Sequence, residues 1–501
     1  MALRGVDGGG RGAVLRLRPP SQRAGAALIP VRRIRRTGTA AALAAVLTGC
    51  SLTPATTPPP VALPAHWNAP ATSPPPAADW WRQFDDPVLD RLVAQALSHN
   101  LDLELAAARV QEARALLAGA RAEQRPTVDL QAQAARRRTA DNAGGNLTTT
   151  YSASGQLGYE VDLFGRLRSA STAARARLLE SVYTAEALRL SVVTDTVSAY
   201  LTLRATEQQL RITDAAVATR QETVRVEATR LRLGADSELT LRQAQAQLAA
   251  AKAQAASLRD ALGGAQGALA VLTGATPQTL IEDLPPTGRF ADLALPLPTP
   301  PSLPASLLER RPDIRAALAA LRAADADIGA ARAQWFPRLD LSALLASDAT
   351  QLGDLFSGPA AGWSLGGALV APLLDFGRRE AQLAGAQARR RQTETLYRQT
   401  VQTAFRDVRD TLITLTEAQA RAQAQTQAVT ALSRARQLAE LRYRAGRGQY
   451  LDLLDAERSL LTAQLDRVAA ARDARLAAAT LFKALGGGWD AASPGDRPGA
   501  S

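Results

Sequence analysis

Runs of alternating apolar and polar residues recur along this chain. Residues 128–134 carry apolar side chains at the even positions and polar ones at the odd positions. Residues 151–161 show the same alternation with the apolar side chains at odd positions, and residues 339–343 repeat the first run. A period of two predicts strands with one apolar and one polar face. Each predicted strand is about long enough to cross a bilayer, which takes about 9–11 tilted residues.

Two segments between these runs predict helices of unusual length. Residues 166–233 contain no glycine or proline, and residues 378–445 are interrupted only by Gly385. At 1.5 Å per residue, each would form a helix of about 100 Å; the alternative is two ordinary helices with an unrecognised break. The second segment has apolar residues spaced by four and three positions, at Val401, Phe405, Val408, Leu412 and Leu415. That spacing predicts a coiled-coil seam.

The chain contains an internal duplication at a separation of about 211 to 212 residues. "NLDLELAAARVQEARALLAGARAEQRPTVDLQA" corresponds to "RPDIRAALAALRAADADIGAARAQWFPRLDLSA", and "DLFGR" to "LDFGR". Each copy predicts a helix (about 87–124 and 306–335), a strand hairpin and one long helix. A glycine turn and a returning helix (about 237–272 and 449–485) complete each copy. The chain therefore reads as two copies of one large unit.

Composition divides the rest of the chain into segments around these two copies. The predicted segments are a signal peptide at 1–49, a proline-rich tether at 50–78, a first repeat at 79–284, a proline-rich linker at 285–304, a second repeat at 305–486 and a tail at 487–501. The net charge of +12 does not indicate a nucleic-acid partner. Residues 1–49 hold nine arginines and one acidic residue, so the leader accounts for most of the basicity.

Two hairpins supply only four strands, which has a consequence in a membrane. An open sheet edge in hydrocarbon leaves backbone N–H and C=O groups unpaired, at several kcal/mol each. Because about eight strands are the practical minimum for a closed barrel, several chains must share one. Two chains would give a barrel filled by its own side chains, whereas three would give twelve strands around a water-filled lumen. The strand count therefore favours a trimer if the protein is a conduit.

The only cysteine of the chain, Cys50, follows a short apolar run. The basic stretch "VRRIRRTG", the apolar "TAAALAAV" and the small residues of "LTGC" resemble a lipoprotein signal with its lipobox at 47–50. By that resemblance, Cys50 is acylated, and Ser51 in the next position implies sorting to the outer membrane. The alternative is a free buried thiol. Met1 and Val31 are both candidate translation starts.

The assembled features resemble the outer-membrane factor (TolC-like) family. The resemblance rests on "DWWRQFDDPVLDRLVAQALSHNLDLELAAARVQEARA", the paired "FGR" turns and "YRAGRGQYLDLLDAERSLLTAQ", and it covers residues 79–486. In particular, the chain is similar to nodulation-type lipoproteins that serve as outer-membrane subunits of RND multidrug efflux systems. The resemblance implies a mainly helical trimer with a twelve-stranded barrel and a periplasmic tunnel. It also implies a periplasmic adaptor (membrane fusion) protein and an inner-membrane RND transporter as partners, and no cofactor.

The same resemblance implies a periplasmic gate. Asp452 and Asp455 match carboxylates that ring the constriction in relatives, and the i, i+3 spacing places both on one helix face. A ring of six carboxylates in a trimer would attract cations. The alternative is two solvated helix carboxylates. Tyr443 matches a residue that ties neighbouring helices near the tip.

Other positions leave questions about this gate. The duplicate positions of the two aspartates, Thr240 and Gln243, are uncharged, so only one helix pair can supply the ring. Gly448 stands where some relatives carry an arginine that bonds across protomers. Gly234 and Gly446 match the helix tips at which relatives meet the adaptor, and they could equally be ordinary chain reversals.

The sequence favours transport over catalysis. Two histidines and one cysteine supply no credible Ser/His/Asp arrangement and no metal-ligand spacing. We therefore expect no enzyme. The alternatives to an efflux duct are the outer-membrane exit of a type I protein secretion system, which uses the same architecture, and a structural coiled-coil lipoprotein. The second alternative predicts no conductance in a bilayer.

Overall fold

The structure is a computed structural model in which long antiparallel helices adjoin one four-stranded sheet. It describes residues 52–60, 77–140, 144–283, 290, 293–296, 308 and 310–487. The predicted signal peptide, Cys50, most of the linker and nearly all of the tail lie outside these residues.

The helices and strands follow the order predicted for two repeats. The helices are α1 Pro87–His99, α2 Leu101–Ala122, α3 Arg166–Arg232, α4 Glu238–Thr273, α5 Pro277–Asp283, α6 Pro312–Ala333, α7 Arg378–Arg444 and α8 Tyr450–Ala484. The strands are β1 Thr127–Arg138, β2 Leu147–Val161, β3 Arg338–Ala349 and β4 Ala361–Val370. Short 3₁₀ turns lie at Trp80–Phe84, Leu352–Asp354 and Gly358–Ala360.

The two long helices are continuous, as the lack of helix breakers predicts. Helices α3 and α7 each contain 67 residues, so each spans about 100 Å at 1.5 Å per residue. Val401, Val408 and Leu415 of the predicted seam are buried, and Phe405 and Leu412 pack against the same clusters. Within the described part of the chain, no helix has the length and apolar character needed to span a membrane.

The single helix predicted at about 87–124 is instead two helices, α1 and α2. Asn100 interrupts the helical path because its backbone is extended, with φ −70° and ψ 125°. Its side chain caps α2, accepting from the amides of Asp102 at 3.0 Å and Leu103 at 3.2 Å. The same side chain donates to the carbonyl of Leu272 at 3.0 Å, near the end of α4. A short polar side chain that satisfies free helix-end amides makes this break stable.

The helix predicted at about 306–335 is interrupted at Arg311, whose backbone is extended, while Leu308 and Arg310 before it are helical. Helix α6 begins at Pro312, whose fixed φ and missing N–H suit the first turn of a helix. Arg311 precedes it and contacts the end of α8 and the middle of α7. Its guanidinium donates to the carbonyl of Ala484 at 3.2 Å and lies 3.5 Å from the Asp407 carboxylate.

The four strands form one antiparallel sheet in the order β1-β2-β3-β4. Leu130 lies opposite Gly155, and Leu345 lies opposite both Gly155 and Trp363. Residues opposite one another share a face, so the apolar positions of all four strands lie on one side of the sheet. Within this chain, β1 and β4 each pair on one side only, which leaves two open edges.

The largest apolar core lies where α1, α3, α4 and α8 meet. Trp80 is 1% exposed and stacks on Phe482 with ring centroids 4.8 Å apart. The Tyr200 hydroxyl donates to the Asp86 carboxylate at 2.5 Å, and Asp86 also caps α1 by accepting from the Val88 amide. This core fixes the N-terminal segment to the middle of α3 and holds the two repeats together.

Aromatic residues cluster where the strands meet the helices. Phe164 stacks on Phe336 with ring centroids 4.6 Å apart, and the Arg379 guanidinium lies 5.1 Å from the Trp335 ring. Phe376, by contrast, is 92% exposed. These contacts pack the junction locally, and Trp335 and Phe336 remain partly exposed, at 47% and 39%.

Candidate functional site

The turns that end α3 and α7 share one backbone design. Gly234 and Gly446 adopt left-handed φ values of 71° and 67°. The Ala235 amide donates to the Arg230 carbonyl at 2.8 Å, and the Arg447 amide donates to the Arg442 carbonyl at 2.9 Å. These bonds satisfy the free carbonyls at the helix ends, and glycine adopts the required φ without a steric penalty. No atom of the described residues lies within 4 Å of the position of an added Cβ at either glycine, so neither turn is crowded by neighbouring side chains.

Tyr443 connects the two tips. Its hydroxyl accepts a hydrogen bond from Arg230 Nη1 at 2.6 Å and donates to Glu227 Oε1 at 3.0 Å. The same oxygen lies 3.5 Å from Asp236 Oδ2. The Arg230 guanidinium also lies 5.0 Å from the centre of the Tyr443 ring, where a cation is attracted to the aromatic face. We name Glu227, Arg230, Asp236 and Tyr443 the tip cluster.

Glu227 is the most buried member of the tip cluster, at 2% exposure. Its Oε1 pairs with Arg230 Nη1 at 3.4 Å, and its Oε2 is buried and accepts no hydrogen bond from the described residues. Burial raises the pKa of Glu227, although the hydrogen bond from Tyr443 and the charge of Arg230 act in the opposite direction. A buried carboxylate with one unsatisfied oxygen is costly, so this cluster is sensitive to any change in its partners.

The pKa values of the other acid, Asp236, and of the phenol, Tyr443, shift in opposite directions. Burial and then the hydrogen bond to Glu227 raise the pKa of Tyr443, which keeps its hydroxyl protonated as a donor. Burial opposes ionisation of Asp236, but hydrogen bonds from the Ser237 amide and the Thr240 hydroxyl outweigh it and lower the pKa. Asp236 therefore stays charged while it organises the start of α4.

Asp452 and Asp455 lie in the first two turns of α8 and are exposed. Asp455 Oδ1 accepts from Arg458 Nη2 at 2.8 Å, and both side chains are more than 60% exposed. The i, i+3 spacing does place both carboxylates on one face, but the structure brings neither into hydrogen-bond contact with the tip cluster within one chain. Their surroundings in this chain are those of surface carboxylates.

A second group of charged residues, of which Arg220 is buried and Arg436 and Glu457 are half-buried, lies further from the tips. A cleft of about 240 Å³ between α3, α7 and α8 is lined in part by Arg220, Arg436 and Glu457. Arg220 Nη1 donates to the Gln247 carbonyl at 3.0 Å, and burial lowers its pKa. Burial raises the pKa of Glu457 and raises that of Tyr450 to about 12.

The residues that follow Cys50 lie at the opposite end of the helices. The Leu52 carbonyl accepts from Arg332 Nη1 at 3.2 Å, and the Thr53 and Ser169 hydroxyls are 3.1 Å apart. An added Cβ at Gly329 would lie 2.3 Å from Thr53 Oγ1, so only glycine permits this approach. These contacts bring the chain just after Cys50 to the end of α6 and the start of α3, next to the sheet.

Sequence reasoning named Tyr443 but missed the residues that contact it. A comparison of the two repeats contains a signal for them. Asp236 corresponds to Gly448, and Glu227 corresponds to Ala439. A carboxylate present in only one copy indicates a contact that the other copy does not make. Among the described residues, no group of His, Cys, Asp and Glu side chains could hold a metal ion.

The comparison with known proteins identifies the family. Residues 92–275 and 303–487 match the model of a family described as outer membrane efflux protein, one match for each repeat. The chain belongs to this family. The match covers both tips and the tip cluster, and it agrees with the family that the sequence resembles.

Individual outer membrane efflux proteins resemble the chain over most of its length. It is 35% identical over 410 residues to the solvent efflux pump outer membrane protein SrpC of Pseudomonas putida, covering 81% of this chain and 86% of SrpC. It is 32% identical over 452 residues to the probable outer membrane lipoprotein SilC of Salmonella typhimurium, covering 89% of this chain and 97% of SilC. The crystal structure of the Campylobacter jejuni CmeC outer membrane channel superposes with a TM-score of 0.84 at 25% identity, covering 89% and 97% of the two chains.

These matches confirm four predictions made from the sequence. The family, the mainly helical fold with a small antiparallel sheet, the outer-membrane location and the efflux function are as expected. The roles of Cys50, Tyr443, Asp452, Asp455 and the two tip glycines are not addressed by these matches, and they remain predictions.

Proposed function

We propose that this outer membrane efflux protein is the channel subunit of a tripartite RND-type pump. Three copies form a passive exit duct that carries drugs or other small molecules from the periplasm to the exterior. The observation that carries the proposal is a four-stranded sheet with two open edges, joined to helices about 100 Å long. A passive duct needs no catalytic site, so the protein acts without enzymatic chemistry.

The open edges explain why three copies are needed. Strand β1 of one copy can pair with β4 of the next, so that backbone groups left free in one chain are satisfied between chains. Three copies give twelve strands, enough to enclose a water-filled lumen, whereas eight strands are filled by side chains. The apolar face of the sheet then meets lipid and the polar face lines the lumen.

The helices continue this barrel as a tunnel across the periplasm. Their far ends are the tips at Gly234 and Gly446, which offer a docking surface for a periplasmic adaptor protein. The adaptor connects the duct to an inner-membrane RND transporter, which supplies the energy for transport. SrpC is named for solvent efflux, which favours small molecules over proteins as the cargo.

The tips also form the proposed gate. Tyr443 holds α7 against α3 through Glu227 and Arg230, and we assign to this cluster the role of a latch that keeps the tips together. Asp452 and Asp455 lie on the exposed surface of α8, close in sequence to this latch. In a trimer they supply six carboxylates around the axis, which repel one another and attract cations.

We further propose that Cys50 carries the lipid anchor. Leu52 and Thr53 contact α6 and α3 beside the sheet, which supports an anchor at the membrane end of the helices. Several acyl chains on one residue give stable anchoring. Cys50→Ala should abolish incorporation of radiolabelled palmitate; continued incorporation would show that another residue carries the lipid.

The experiment that tests the main proposal combines assembly, conductance and cell physiology. Detergent-solubilised protein should run as a trimer and form pores in planar bilayers, and deletion of the gene should raise susceptibility to drugs. A stable single subunit without a pore would contradict the proposal. A deletion that blocks secretion of a protein but leaves drug susceptibility unchanged would instead assign the duct to a type I secretion system.

A further inference from the structure

The apolar face of the sheet carries charge at one place only. By the strand register, the even positions of β1 share a face with the odd positions of β2, β3 and β4. Across this face of the four strands, the only charged side chains are Arg136 and Arg138. The other positions hold aliphatic, aromatic, glycine, serine or threonine residues. Charge is costly within hydrocarbon, so the position of these two arginines in the bilayer matters on a face that otherwise suits lipid.

The height of these arginines along β1 places them at the edge of the apolar band. Val128 lies at the end of β1 that adjoins α2, and Arg138 leads into the hairpin turn closed by the Thr139 amide and the Asn146 carbonyl. With a rise of about 3.4 Å per residue and a tilt of about 40°, each residue adds about 2.6 Å of height. Arg136 and Arg138 then lie about 21 and 26 Å beyond Val128, at the far boundary of an apolar band about 25 Å tall.

The strand register shows which arginines of β1 share the apolar face. Arg137 lies between the two on the same strand but on the opposite face, together with Gln131 and Gln133. Only Arg136 and Arg138 therefore face the lipid side. With the helices in the periplasm, as the proposed function requires, this rim of the sheet meets the outer leaflet of the outer membrane. That leaflet is built of lipopolysaccharide, whose lipid A carries phosphate groups at this level.

We propose that Arg136 and Arg138 form a binding site for a phosphate group of lipid A. A guanidinium pairs with phosphate through two parallel hydrogen bonds and stays charged at any pH of the cell envelope. Side chains two positions apart on a strand lie on the same face, so both can reach one headgroup. The site would hold a phosphorylated glycolipid at the rim of each subunit and fix the height of the sheet in the bilayer.

The test measures binding of purified bisphosphorylated lipid A to the detergent-solubilised full-length protein by native mass spectrometry. The variant Arg136→Gln with Arg138→Gln should bind lipid A at least about tenfold more weakly, since two charge-assisted contacts are lost. Arg137→Gln is the matched control, because it removes the same charge from the same strand on the opposite face. It should bind within about twofold of the parent. Equal losses in both variants, or no loss in the double variant, would overturn the proposal.

Binding of other lipids tests whether the site is selective for phosphorylated lipid A or attracts any anionic lipid. Dephosphorylated lipid A and phosphatidylglycerol should both bind more weakly than bisphosphorylated lipid A to the parent, and the double variant should lose that preference. Equal binding of phosphatidylglycerol would overturn the assignment to lipid A. Arg136→Lys with Arg138→Lys should recover part of the affinity.

Channel activity distinguishes this inference from the proposed function on which it rests. The double variant should retain the parental pore conductance, because neither arginine faces the lumen. If the double variant fails to assemble, lipid A binding by the single variants Arg136→Gln and Arg138→Gln is compared with binding by Arg137→Gln in the same way.

Discussion

The two helix tips are built on the same turn, 212 residues apart, but they are stabilised differently. At the first tip, Ser237 caps α4 by accepting from the Thr240 amide, and Asp236 accepts from the Ser237 amide and the Thr240 hydroxyl. At the second tip, the residue in the capping position of α8 is Gln449, whose side chain makes no capping bond. The duplication has kept the turn and changed what holds the following helix.

Two side chains of the second tip differ in chemistry from the residues at the equivalent positions of the first. Tyr443 of the second tip reaches across to Glu227 and Arg230 of the first repeat, where the equivalent residue is Leu231. Its Asp452 is exposed, whereas the equivalent Thr240 is buried and bonded to Asp236. The first tip thus supplies the partners of Tyr443 and a buried Thr240, whereas the second tip supplies Tyr443 itself and carries the exposed Asp452.

Removal of the charge from the second tip should have the largest effect. We expect Asp452→Ala with Asp455→Ala to raise conductance and to lower the preference for cations several-fold, because the proposed ring of six carboxylates is removed. Single-channel recordings with unequal salt on the two sides measure both quantities. The control is Gln243→Ala, at the uncharged duplicate position of Asp455. Unchanged current and selectivity in the double variant would remove both aspartates from the gate.

Removal of the contact between the tips should come next. Tyr443→Phe keeps the ring but deletes the hydroxyl that satisfies Glu227 and Arg230, which leaves a buried carboxylate short of a partner. We expect a loss of about 1–3 kcal/mol in the free energy of tip closure, read as a higher open probability in single-channel recordings. Tyr450→Phe is the control, since its ring lies 5.6 Å from Tyr443 but its hydroxyl lies outside this contact. A larger effect of Tyr450→Phe would assign the latch to the second group of charged residues, around Arg220 and Glu457.

The pH dependence tests whether Glu227 belongs to the closed tip. Burial raises its pKa in the closed arrangement, and exposure to water in an open tip would return the pKa towards its ordinary value. The closed tip then binds the Glu227 proton more tightly than the open tip does. The stabilisation of the closed tip by this proton is therefore complete below about pH 4.3 and is lost as the pH rises through the raised pKa of Glu227. We expect open probability to fall as the pH is lowered from neutral. Glu227→Gln should abolish this dependence.

The control for this pH dependence is Glu222→Gln. Glu222 is on the same helix but exposed, and its hydrogen bond with Arg225 lowers its pKa. In the Glu222→Gln variant, open probability should still fall at low pH, as it does in the parent. A fall that persists in Glu227→Gln would assign the titration to another group.

The smallest expected effect compares the two caps directly. Ser237→Ala removes a capping bond and should cost about 1 kcal/mol of stability, whereas Gln449→Ala removes no capping bond and should cost nothing measurable. Thermal unfolding of the two purified variants, side by side, measures the difference. Equal losses would mean that the tips do not differ in the way that the capping bonds indicate.

The candidate site was partly within reach of the sequence. Tyr443, Asp452 and Asp455 were found through their resemblance to family residues, and Gly234 and Gly446 through their place after long helices. Glu227 was not found, because a glutamate inside a polar helix usually faces solvent, whereas this one is 2% exposed and bonds to Tyr443 of α7. The break at Asn100 was missed for a related reason: its side chain is anchored by α4, which is distant in sequence.

The sequence by itself determined the two repeats, the length of the long helices and the two faces of the sheet. These follow from local rules, since the period of apolar residues and the positions of glycine and proline act over a few neighbours. Only the tertiary structure decided which residues meet across the tips. Tyr443 and Glu227 are 216 residues apart, and nothing local links them. Contacts of that kind arise only when separate helices pack and exclude water from the groups between them.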